Sequence, residues 1–531
     1  MKKYLLSIFA LILPLLTIAQ EAQEVGIDQK IDQAFGDATG WFVGFIFYQI
    51  DFGGGVKVFW VLFPLILGAL YFTFYFKFIN FRGFFTSINI VRGKYDDIDH
   101  HESLVGAGDS TPGGDNIETI AIEGAEGEVS HFQALTAALS ATVGLGNIAG
   151  VAIAVSIGGA GATFWMIVAG LLGMASKFVE CTLGVKYRDV NEDGTVYGGP
   201  MYYLTKGLKS KGLAGLGKVL AVLFAIFVIG GSLGGGNMFQ VNQAFQLVEN
   251  ITGGTESFLH GNGWAFGLVM AILVGIVIIG GIKSIAKVTD KIVPFMVVVY
   301  VAASLFVIFA NYNMIGDAFM QIFNGAFSPE GVAGGAIGVL VQGFRRAAFS
   351  NEAGIGSASI AHSAVKTKYA ASEGMVALLE PFIDTVLVCT MTALVLIITG
   401  NVTAANGSLN DAEAILLTSG AFESVISWFP YVLTVAVVLF AFSSMISWSY
   451  YGFQGWTYLF GRSKKMEYTY KIIFCLFVIV GAAASLGSVI GFSDAMIFAM
   501  MVPNMIGLVI LAPKVRDELN KYMKAIKERT S

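Results

Sequence analysis

The chain has 531 residues, of which 55% are hydrophobic and 13% are charged. Since a soluble domain carries about 25% charged residues, this composition excludes a soluble enzyme and predicts an all-α polytopic membrane protein. The 32 basic and 37 acidic residues give a net charge of −5, and the lack of a basic excess excludes nucleic acid as a partner. All three cysteines lie in apolar stretches, so neither a disulfide framework nor a metal cluster is expected.

The N-terminus has the plan of a secretory signal. Two lysines precede about fifteen mostly apolar residues, and a pattern of small residues ends at Ala19. We expect residues 1–19 to be a cleaved signal peptide, the alternative being a retained membrane anchor. Residues 20–56 then form a periplasmic N-terminal segment, whose amphipathic part predicts a helix at the membrane interface.

Eleven apolar stretches suited to crossing a bilayer follow. The first belongs to residues 57–94, an extra transmembrane helix with a cytoplasmic amphipathic segment behind it. An acidic cytoplasmic linker, residues 95–130, precedes ten core helices, and a basic cytoplasmic tail, residues 513–531, ends the chain. The core helices, numbered 1 to 10, cover 131–158, 160–186, 215–248, 264–282, 290–311, 332–361, 372–399, 428–460, 470–486 and 492–512.

The distribution of basic residues supports this topology. Of the 32 lysines and arginines, 25 lie in segments predicted to be cytoplasmic, which satisfies the positive-inside rule. We therefore expect a multi-pass protein of the cell's inner (plasma) membrane. Its mature N-terminus should lie outside and its C-terminus in the cytoplasm.

The ten core helices divide into two sets of five, residues 131–311 and 312–512. Because each set has an odd number of spans, the second set would cross the membrane in the opposite orientation to the first. This arrangement predicts an inverted repeat. The first helix of each set is interrupted by glycines and an asparagine, at 142–150 and 349–357. Because glycine tolerates non-helical backbone and asparagine favours helix caps, core helices 1 and 6 are predicted to be broken. The alternative is close packing of glycine-rich helices.

Two broken helices at matching positions are typical of a transporter binding site. The N-terminus of a half-helix offers N–H groups to a carboxylate, and we expect Asn147 and Asn351 to cap these ends. Unwound carbonyls offer oxygens to an ammonium group and to Na⁺. An amino acid carries both charges and fits such a site.

Five stretches of the chain closely resemble the alanine or glycine:cation symporter family. They are Ala134–Gly150, Phe164–Trp165, Gly173–Phe178, Gly198–Tyr203 and Arg345–Gly356. The resemblance covers most of residues 58–512 and implies a leucine-transporter-type fold that couples Na⁺ entry to uptake of small neutral amino acids, chiefly alanine and glycine. Three departures are visible: Leu145 stands where the family commonly has threonine, Ala160 interrupts a usual Gly-Gly-Pro-Gly-Ala, and the 95–130 linker resembles an insertion.

We predict that the substrate binds between the two breaks. The candidate contacts are Gly144, Leu145, Gly146, Asn147, Gln240, Ser350, Asn351, Glu352, Gly354 and Trp448. Gln240 is preferred to Asn237 and Asn242, and interhelical packing by these amides is the alternative. Glu352 is expected either to cap core helix 6 or to hold the ammonium group or Na⁺. Trp448 is expected either to form a wall of the binding pocket or only to pack against neighbouring side chains.

A sodium site is predicted between core helices 1 and 8. It would combine carbonyls near Ala141 and Thr142 with the hydroxyls of Ser443 and Ser444, because hard cations take oxygen ligands. This is the usual place of a sodium site in the fold that the resemblance implies. Alternatively, the serine hydroxyls bond back to their own helix. No cofactor is expected apart from the co-transported Na⁺.

Further charged residues lie at membrane depth, where an ionisable side chain is costly and therefore suggests a functional role. Arg345 and Arg346 precede the second break and are expected either to form an outer gate with carboxylates or to pair structurally. Glu380 and Asp384 are expected to be structural or near the cytoplasmic edge. None of the five histidines joins a clear catalytic or metal constellation.

Together with these patterns, the resemblance implies a sodium-coupled symporter that imports small neutral amino acids, alanine or glycine, by alternating access, as a monomer or weak oligomer in the lipid bilayer. A proton-coupled amino-acid transporter, with Glu352 or Asp384 carrying the proton, is the alternative on the same fold. An ion channel is the alternative from another class. The preference among alanine, glycine and serine stays open at this point.

Overall fold

The computed structural model describes residues 27–53, 57–99, 127–191, 194–327, 335–401 and 414–530, and most of these residues are helical. The predicted signal peptide, residues 1–19, and most of the predicted acidic linker, residues 100–126, lie outside these ranges. Within them, the strands form two short antiparallel hairpins.

An N-terminal arm precedes the core. It consists of helix α1, Ile27–Ile46, and the paired strands β1, Gln49–Asp51, and β2, Lys57–Phe59. Helix α1 has the amphipathic character predicted for this segment, because Trp41 is exposed while Ile46 is buried. The arm packs along one end of the last helix of the chain.

The predicted extra transmembrane helix is short. Helix α2, Leu62–Tyr75, has 14 residues and measures about 21 Å, against about 30 Å for the hydrocarbon core of a bilayer. Left-handed backbone at Lys77 and Phe78, with φ values of 53° and 59°, ends the apolar run. Three short helices follow: α3, Ile79–Arg82; α4, Phe84–Val91; and α5, Asp96–Asp99.

Core helix 1 is broken at the predicted place. Its first half is α6, His131–Thr142. A capping box between Ser130 and Gln133 stabilises the N-terminus of this helix. A π-helical turn at Gly146–Gly150 leads into the second half, α7, Val151–Gly158. The two halves are bent by 54°.

The remainder of the first set consists of long helices joined by short strands, turns and one short helix. Its elements are α8, Gly161–Lys186; strands β3, Asp189–Val190, and β4, Val196–Tyr197; α9, Pro200–Tyr202, with a π-turn at Tyr203–Gly207; α10, Ala214–Leu233; a π-turn at Gly234–Met238; α11, Phe239–Ile251; a 3₁₀ turn at Gly254–Glu256; α12, Gly263–Ile278; and α13, Gly281–Ala310. Helices α10 and α11 run on as a single 38-residue span.

Core helix 6 is also broken. A 3₁₀ turn at Tyr312–Met314 and helix α14, Ile315–Phe327, lead into its first half, α15, Gly335–Asn351. The backbone leaves the helix at Glu352, whose φ is 56°. The chain resumes as helix α16, Ala358–His362.

The rest of the second set is helical. Its elements are α17, Ala370–Ala377; α18, Leu379–Pro381; a π-helical segment, Phe382–Cys389; α19, Thr390–Ile398; α20, Ala414–Glu423; α21, Phe429–Phe460; α22, Lys464–Ala483; and α23, Leu486–Thr530.

The spans differ in number from the sequence prediction. Among the described residues, seven helices are long and apolar enough to cross a membrane, or eight if the bent pair in core helix 1 is one span. Helices α2, α12 and α20 are apolar but shorter. The count of eleven and the five-plus-five repeat therefore stay predictions.

Two predicted connections and the predicted tail contain helix. Helices α14 and α20 lie in segments that we expected to be outer connections, 311–331 and 400–427. The predicted basic tail, residues 513–531, continues core helix 10, because α23 runs unbroken through Pro503 and Pro513.

The centre of the molecule is built on α8, α21 and α23. Helix α8 packs against α15 and α17, while α10 packs against both α21 and α23. On the outside, large apolar side chains such as Ile276 and Phe295 are exposed, as in a protein whose surroundings are lipid. The two breaks lie inside this packing, and their residues are buried.

Candidate transport site

A small cavity lies where the two broken helices meet, and we call it the transport cavity. It has room for about one water molecule. Its walls are Ala141, Thr142, Gly146, Gly235, Gln240, Phe349, Glu352, Trp448 and Ile497. Four predicted substrate contacts, Gly146, Gln240, Glu352 and Trp448, therefore line one cavity together with two predicted sodium ligands.

The amide of Gln240 supports the unwound backbone of core helix 1. Its Oε1 accepts a hydrogen bond from the backbone N–H of Leu145 at 3.3 Å, and its Nε2 donates to the carbonyl of Gly235 at 3.0 Å. Gly144 lies against core helix 8, where an added Cβ would come within 2.5 Å of Ser444 Oγ. Only glycine fits there without displacing Ser444.

Asp384 connects the two breaks. Its Oδ1 accepts from Asn147 Nδ2 at 2.6 Å, and its Oδ2 accepts from Ser350 Oγ at 2.8 Å. Asp384 lies in the π-helical segment of core helix 7 and is buried. It is thus part of the site, whereas we expected Asp384 to be structural or near the cytoplasmic edge and gave it a functional role only in the proton-coupled alternative.

The predicted caps are wrong. Asn147 lies inside the π-helical turn and accepts from the N–H of Gly144 at 2.8 Å. Asn351 is the last residue of α15 and accepts from the N–H of Ala353 at 3.0 Å. Both amides therefore stabilise the unwound backbone rather than a half-helix N-terminus, where no side-chain cap is present.

Glu352 is the acidic side chain among the walls of the transport cavity. Its side chain is 2% exposed, lines the transport cavity and accepts a hydrogen bond from Ser357 Oγ. Asn351 points away and donates to Thr385 Oγ1 at 2.9 Å. Glu352 is therefore placed to meet a positive charge that enters the cavity.

Several predicted contacts lie behind the cavity. Leu145, Asn147, Ser350 and Asn351 are buried close to the breaks but are not among its walls. Gly354, with φ +81°, faces core helix 10, since its carbonyl accepts from Asn504 Nδ2 at 2.9 Å.

The predicted sodium ligands lie at one seam between α6 and α21. Ser140, which the sequence analysis did not select, is at the centre of this seam. Its Oγ donates to the carbonyl of Ser443 at 3.0 Å, and its carbonyl accepts from Ser444 Oγ at 3.1 Å. Thr142 Oγ1 donates to the carbonyl of Ala138 at 3.2 Å. The seam holds carbonyl and hydroxyl oxygens, which are the ligands that hard cations take.

Bulky aromatic side chains limit the size of the transport cavity. Trp448 is buried and lies against Gly236, where an added Cβ would come within 2.1 Å of Trp448 Cγ. Phe349 packs edge-to-face on Phe239, with ring centroids 5.1 Å apart. Trp448 is thus a wall of the cavity and a packed residue at once.

A charged cluster lies behind the Phe349 wall of the transport cavity, where the guanidinium of Arg346 lies over the Phe349 ring. Arg345 Nε donates to Asp494 Oδ2 at 3.0 Å, and Arg346 bonds the same carboxylate. The guanidinium of Arg345 also lies over the rings of Phe47 and Phe59, at 4.6 and 5.5 Å from their centroids. The predicted pairing of both arginines with a carboxylate is present, and their role as a gate stays a prediction.

Long buried helices, two breaks and a cavity between them define a multi-pass membrane transporter. The solved structure of MhsT in complex with L-phenylalanine matches with a TM-score of 0.51 at 16% identity, over 75% of this chain and 99% of that chain, which shows a leucine-transporter-type fold. The model of the sodium:alanine symporter family matches residues 51–531. The chain belongs to this family, and the resemblance seen in the sequence is confirmed.

Curated relatives are similar over most of their length. The sodium/alanine symporter AgcS of Methanococcus maripaludis is 43% identical over 373 residues, which are 70% of this chain and 79% of AgcS. The probable sodium/glutamine symporter GlnT of Bacillus subtilis is 31% identical over 70% of this chain and 74% of GlnT. The amino-acid carrier protein AlsT of the same species is 32% identical, over 71% and 77%.

Proposed function

We propose that this chain is a sodium-coupled symporter that imports alanine or glycine by alternating access. The observation that carries the proposal is the transport cavity, in which unwound backbone, the Glu352 carboxylate and the Trp448 ring meet. The relative AgcS, named a sodium/alanine symporter, supports this choice. The inner membrane, a mature N-terminus outside, a cytoplasmic C-terminus and a monomer or weak oligomer belong to the same proposal.

The geometry of the cavity favours a small zwitterion. Glu352 offers a negative charge to the substrate ammonium group, and the unwound turn at Gly146 offers backbone N–H groups to its carboxylate. Phe349 and Trp448 leave little space for a side chain. We therefore infer that alanine and glycine bind, and that larger amino acids are excluded by contact with these rings.

Sodium is proposed to bind at the seam between α6 and α21. The oxygens of Ala141, Thr142, Ser443 and Ser444 would surround it. Binding of Na⁺ there would neutralise the partial negative charge at the C-terminal end of α6. Because Ala141 and Thr142 also line the transport cavity, the ion and the substrate would favour the same closed conformation.

Uptake of labelled alanine into proteoliposomes tests the proposal. We expect accumulation when an inward Na⁺ gradient is imposed and none when choline replaces Na⁺. Unlabelled glycine should compete, while phenylalanine should not. Unchanged uptake in choline would contradict sodium coupling and favour the proton-coupled alternative. Currents without saturable uptake would favour a channel.

A further inference from the structure

Three exposed basic residues, Lys77, Arg82 and Arg516, surround the C-terminal end of helix α2. We call them the basic cluster. Arg516 Nη2 donates to the carbonyl of Tyr75 at 2.9 Å, and Arg82 Nη1 donates to the carbonyl of Lys77 at 3.5 Å. Basic residues from α3, from α23 and from the turn between α2 and α3 are thus brought to one short stretch of backbone.

The partners of the two guanidinium groups are neutral. Besides its carbonyl partner, Arg516 lies over the ring of Tyr75, with its Cζ 3.7 Å from the ring centroid. Glu518, two residues further along α23, is paired with other lysines. Among the residues that the structure describes, no carboxylate forms an ion pair with a member of the basic cluster. Since an arginine carries five N–H donors, each guanidinium keeps donors and its full charge for a ligand.

The backbone at Lys77 has a conformation that glycine usually adopts. The N–H of Lys77 donates to the carbonyl of Phe74 at 3.0 Å, and the N–H of Phe78 donates to the carbonyl of Thr73 at 2.7 Å. This pair of bonds is the Schellman motif, in which the residue at the position of Lys77 is usually glycine. The φ of Lys77 is 53°, and a Cβ is unfavourable there. A lysine at this position costs stability, and unfavourable backbone of this kind is typical of functional sites.

Helix α2 ends before it can cross a bilayer of ordinary thickness. Its 14 residues measure about 21 Å, against about 30 Å for the hydrocarbon core. Where an apolar stretch is shorter than the bilayer, the bilayer thins locally and the lipid headgroups come closer to the end of the helix. The basic cluster lies at this end and is therefore within reach of the headgroups.

Exposed aromatic side chains border the basic cluster. The rings of Phe74 and Phe78 are 5.3 Å apart and stand edge-to-face. Phe81 on α3 and Phe85 on α4 are also exposed, Phe85 to 75%. Aromatic residues are enriched where the membrane meets water. Cations bordered by exposed aromatic rings suit a molecule that has an anionic head and apolar chains.

Two contacts fix the turn to the centre of the molecule. Asn80 Nδ2 donates to the carbonyl of Leu171 at 3.0 Å, and Phe76 packs edge-to-face on Phe178 at 5.3 Å. Leu171 and Phe178 lie on α8, which also packs against α15, the helix that leads into the second break. The turn that carries the basic cluster is therefore held by the core.

We propose that the basic cluster binds the headgroup of an anionic phospholipid. The guanidinium groups of Arg82 and Arg516 donate to the phosphate oxygens, which match their planar geometry, and Lys77 adds a third positive charge. The acyl chains lie along the exposed side of α2, where Leu67 and Phe74 face the surroundings. A choline headgroup would bring its own positive charge to the cluster and is disfavoured. The inference goes beyond the proposed transport function and does not depend on it.

Lipid binding to the full chain in detergent tests the proposal. Native mass spectrometry measures the dissociation constants of phosphatidylglycerol and phosphatidylcholine, and we expect phosphatidylglycerol to bind more tightly. The variants Arg82→Gln and Arg516→Gln should each weaken its binding about fivefold, which is the contribution of one basic residue near anionic lipid. The control is Lys211→Gln, which removes an exposed lysine from another predicted cytoplasmic segment. It should bind phosphatidylglycerol like the wild type.

The variant Lys77→Gly separates lipid binding from the stability of the fold. Glycine suits the left-handed backbone at this position, so the melting temperature in lipid-free detergent should rise. The affinity for phosphatidylglycerol should fall about fivefold, because one positive charge is lost. A higher melting temperature with unchanged affinity would show that residue 77 only ends helix α2, and would contradict its place in the site.

Three results would overturn the proposal as a whole. Equal affinities for the two lipids would show that the headgroup charge is not recognised. An equal loss in Lys211→Gln and in the cluster variants would assign the attraction to the basic surface in general. Inorganic phosphate provides the last arm: we expect phosphatidylglycerol to stay bound in its presence, and displacement by phosphate would assign the cluster to a free anion instead of a lipid.

Discussion

Asp384 links the two broken helices by hydrogen bonds. Its two oxygens accept from Asn147 and Ser350, and Oδ2 accepts also from Thr385 at 2.7 Å. A carboxylate can accept several such bonds at once because it has no donor of its own. The neutral amide of asparagine would place an N–H₂ group against one of these donors.

We therefore expect Asp384→Asn to weaken both the fold and substrate binding. Loss of one acceptor at a buried site costs about 1–3 kcal/mol, and the change should lower the melting temperature in detergent and reduce alanine binding. The control is Asp517→Asn, at an exposed position of α23. Wild-type melting and binding in Asp384→Asn would contradict the role of Asp384 as the link between the breaks.

Gly236 determines where the Trp448 ring lies. A Cβ at this position would come within 2.1 Å of Trp448 Cγ, so the variant Gly236→Ala must displace the ring. We expect it to lose alanine uptake in proteoliposomes, because the displaced indole would change the wall of the transport cavity. The matched control is Gly215→Ala on α10, where nothing lies within 4 Å of an added Cβ. Equal uptake by both variants would show that Trp448 does not set the size of the cavity.

At the scale of elements, the N-terminal arm fastens the start of the last helix. Asp32 Oδ1 accepts from the backbone N–H of Ser485 at 3.0 Å and from its Oγ at 2.8 Å, immediately before α23 begins. Phe35 packs edge-to-face on Phe492 at 5.1 Å. The match to the family model begins at residue 51, and helix α1 lies before that residue. Asp32 and Phe35, which make these contacts with α23, therefore lie outside the part of the chain that the family model covers.

We expect Asp32→Ala to destabilise the arm and the outer end of α23. The bond to Ser485 resembles a helix cap, whose loss costs about 0.5–2 kcal/mol, and a lower melting temperature with faster proteolysis of the arm should follow. Asp37→Ala, at an exposed position on the same helix, is the control. Identical melting and proteolysis of the two variants would contradict the fastening role.

Local sequence patterns predicted the broken helices but not the contacts between residues that are distant in sequence. The breaks were predictable because glycine, asparagine and serine act on their own backbone, as at Gly144 and Asn351. The contacts of Asp384 were not predictable, because Asn147 lies 237 residues away in sequence. The buried contact between His131 and Glu373 was missed for the same reason, since these residues are 242 positions apart. An intramembrane carboxylate or histidine was the available signal, but it does not identify the partner.

At the scale of the whole molecule, the proposed topology can be tested with single cysteines. Cys181 and Cys389 are buried and Cys475 is half-buried, so replacement of Cys475 by serine gives a background with little labelling. We expect Thr255→Cys to react with an impermeant maleimide from outside intact cells and Lys211→Cys to react only after permeabilisation. Both positions are exposed. The opposite pattern would invert the topology and contradict the placement of the basic residues.

Helix α23 gives the molecule a continuous connection from one face to the other. Asp494, which binds Arg345 and Arg346, and Tyr522, which binds Asp99, lie on this one helix. They are 28 residues apart in sequence, which corresponds to about 42 Å along a straight helix. A tilt of about 5° at one end would displace the other end by roughly 4 Å, a distance that follows from the helical rise. Release of the arginines from Asp494 would therefore shift the other end of α23, where Tyr522 donates to Asp99, so that the two ends of the molecule move together.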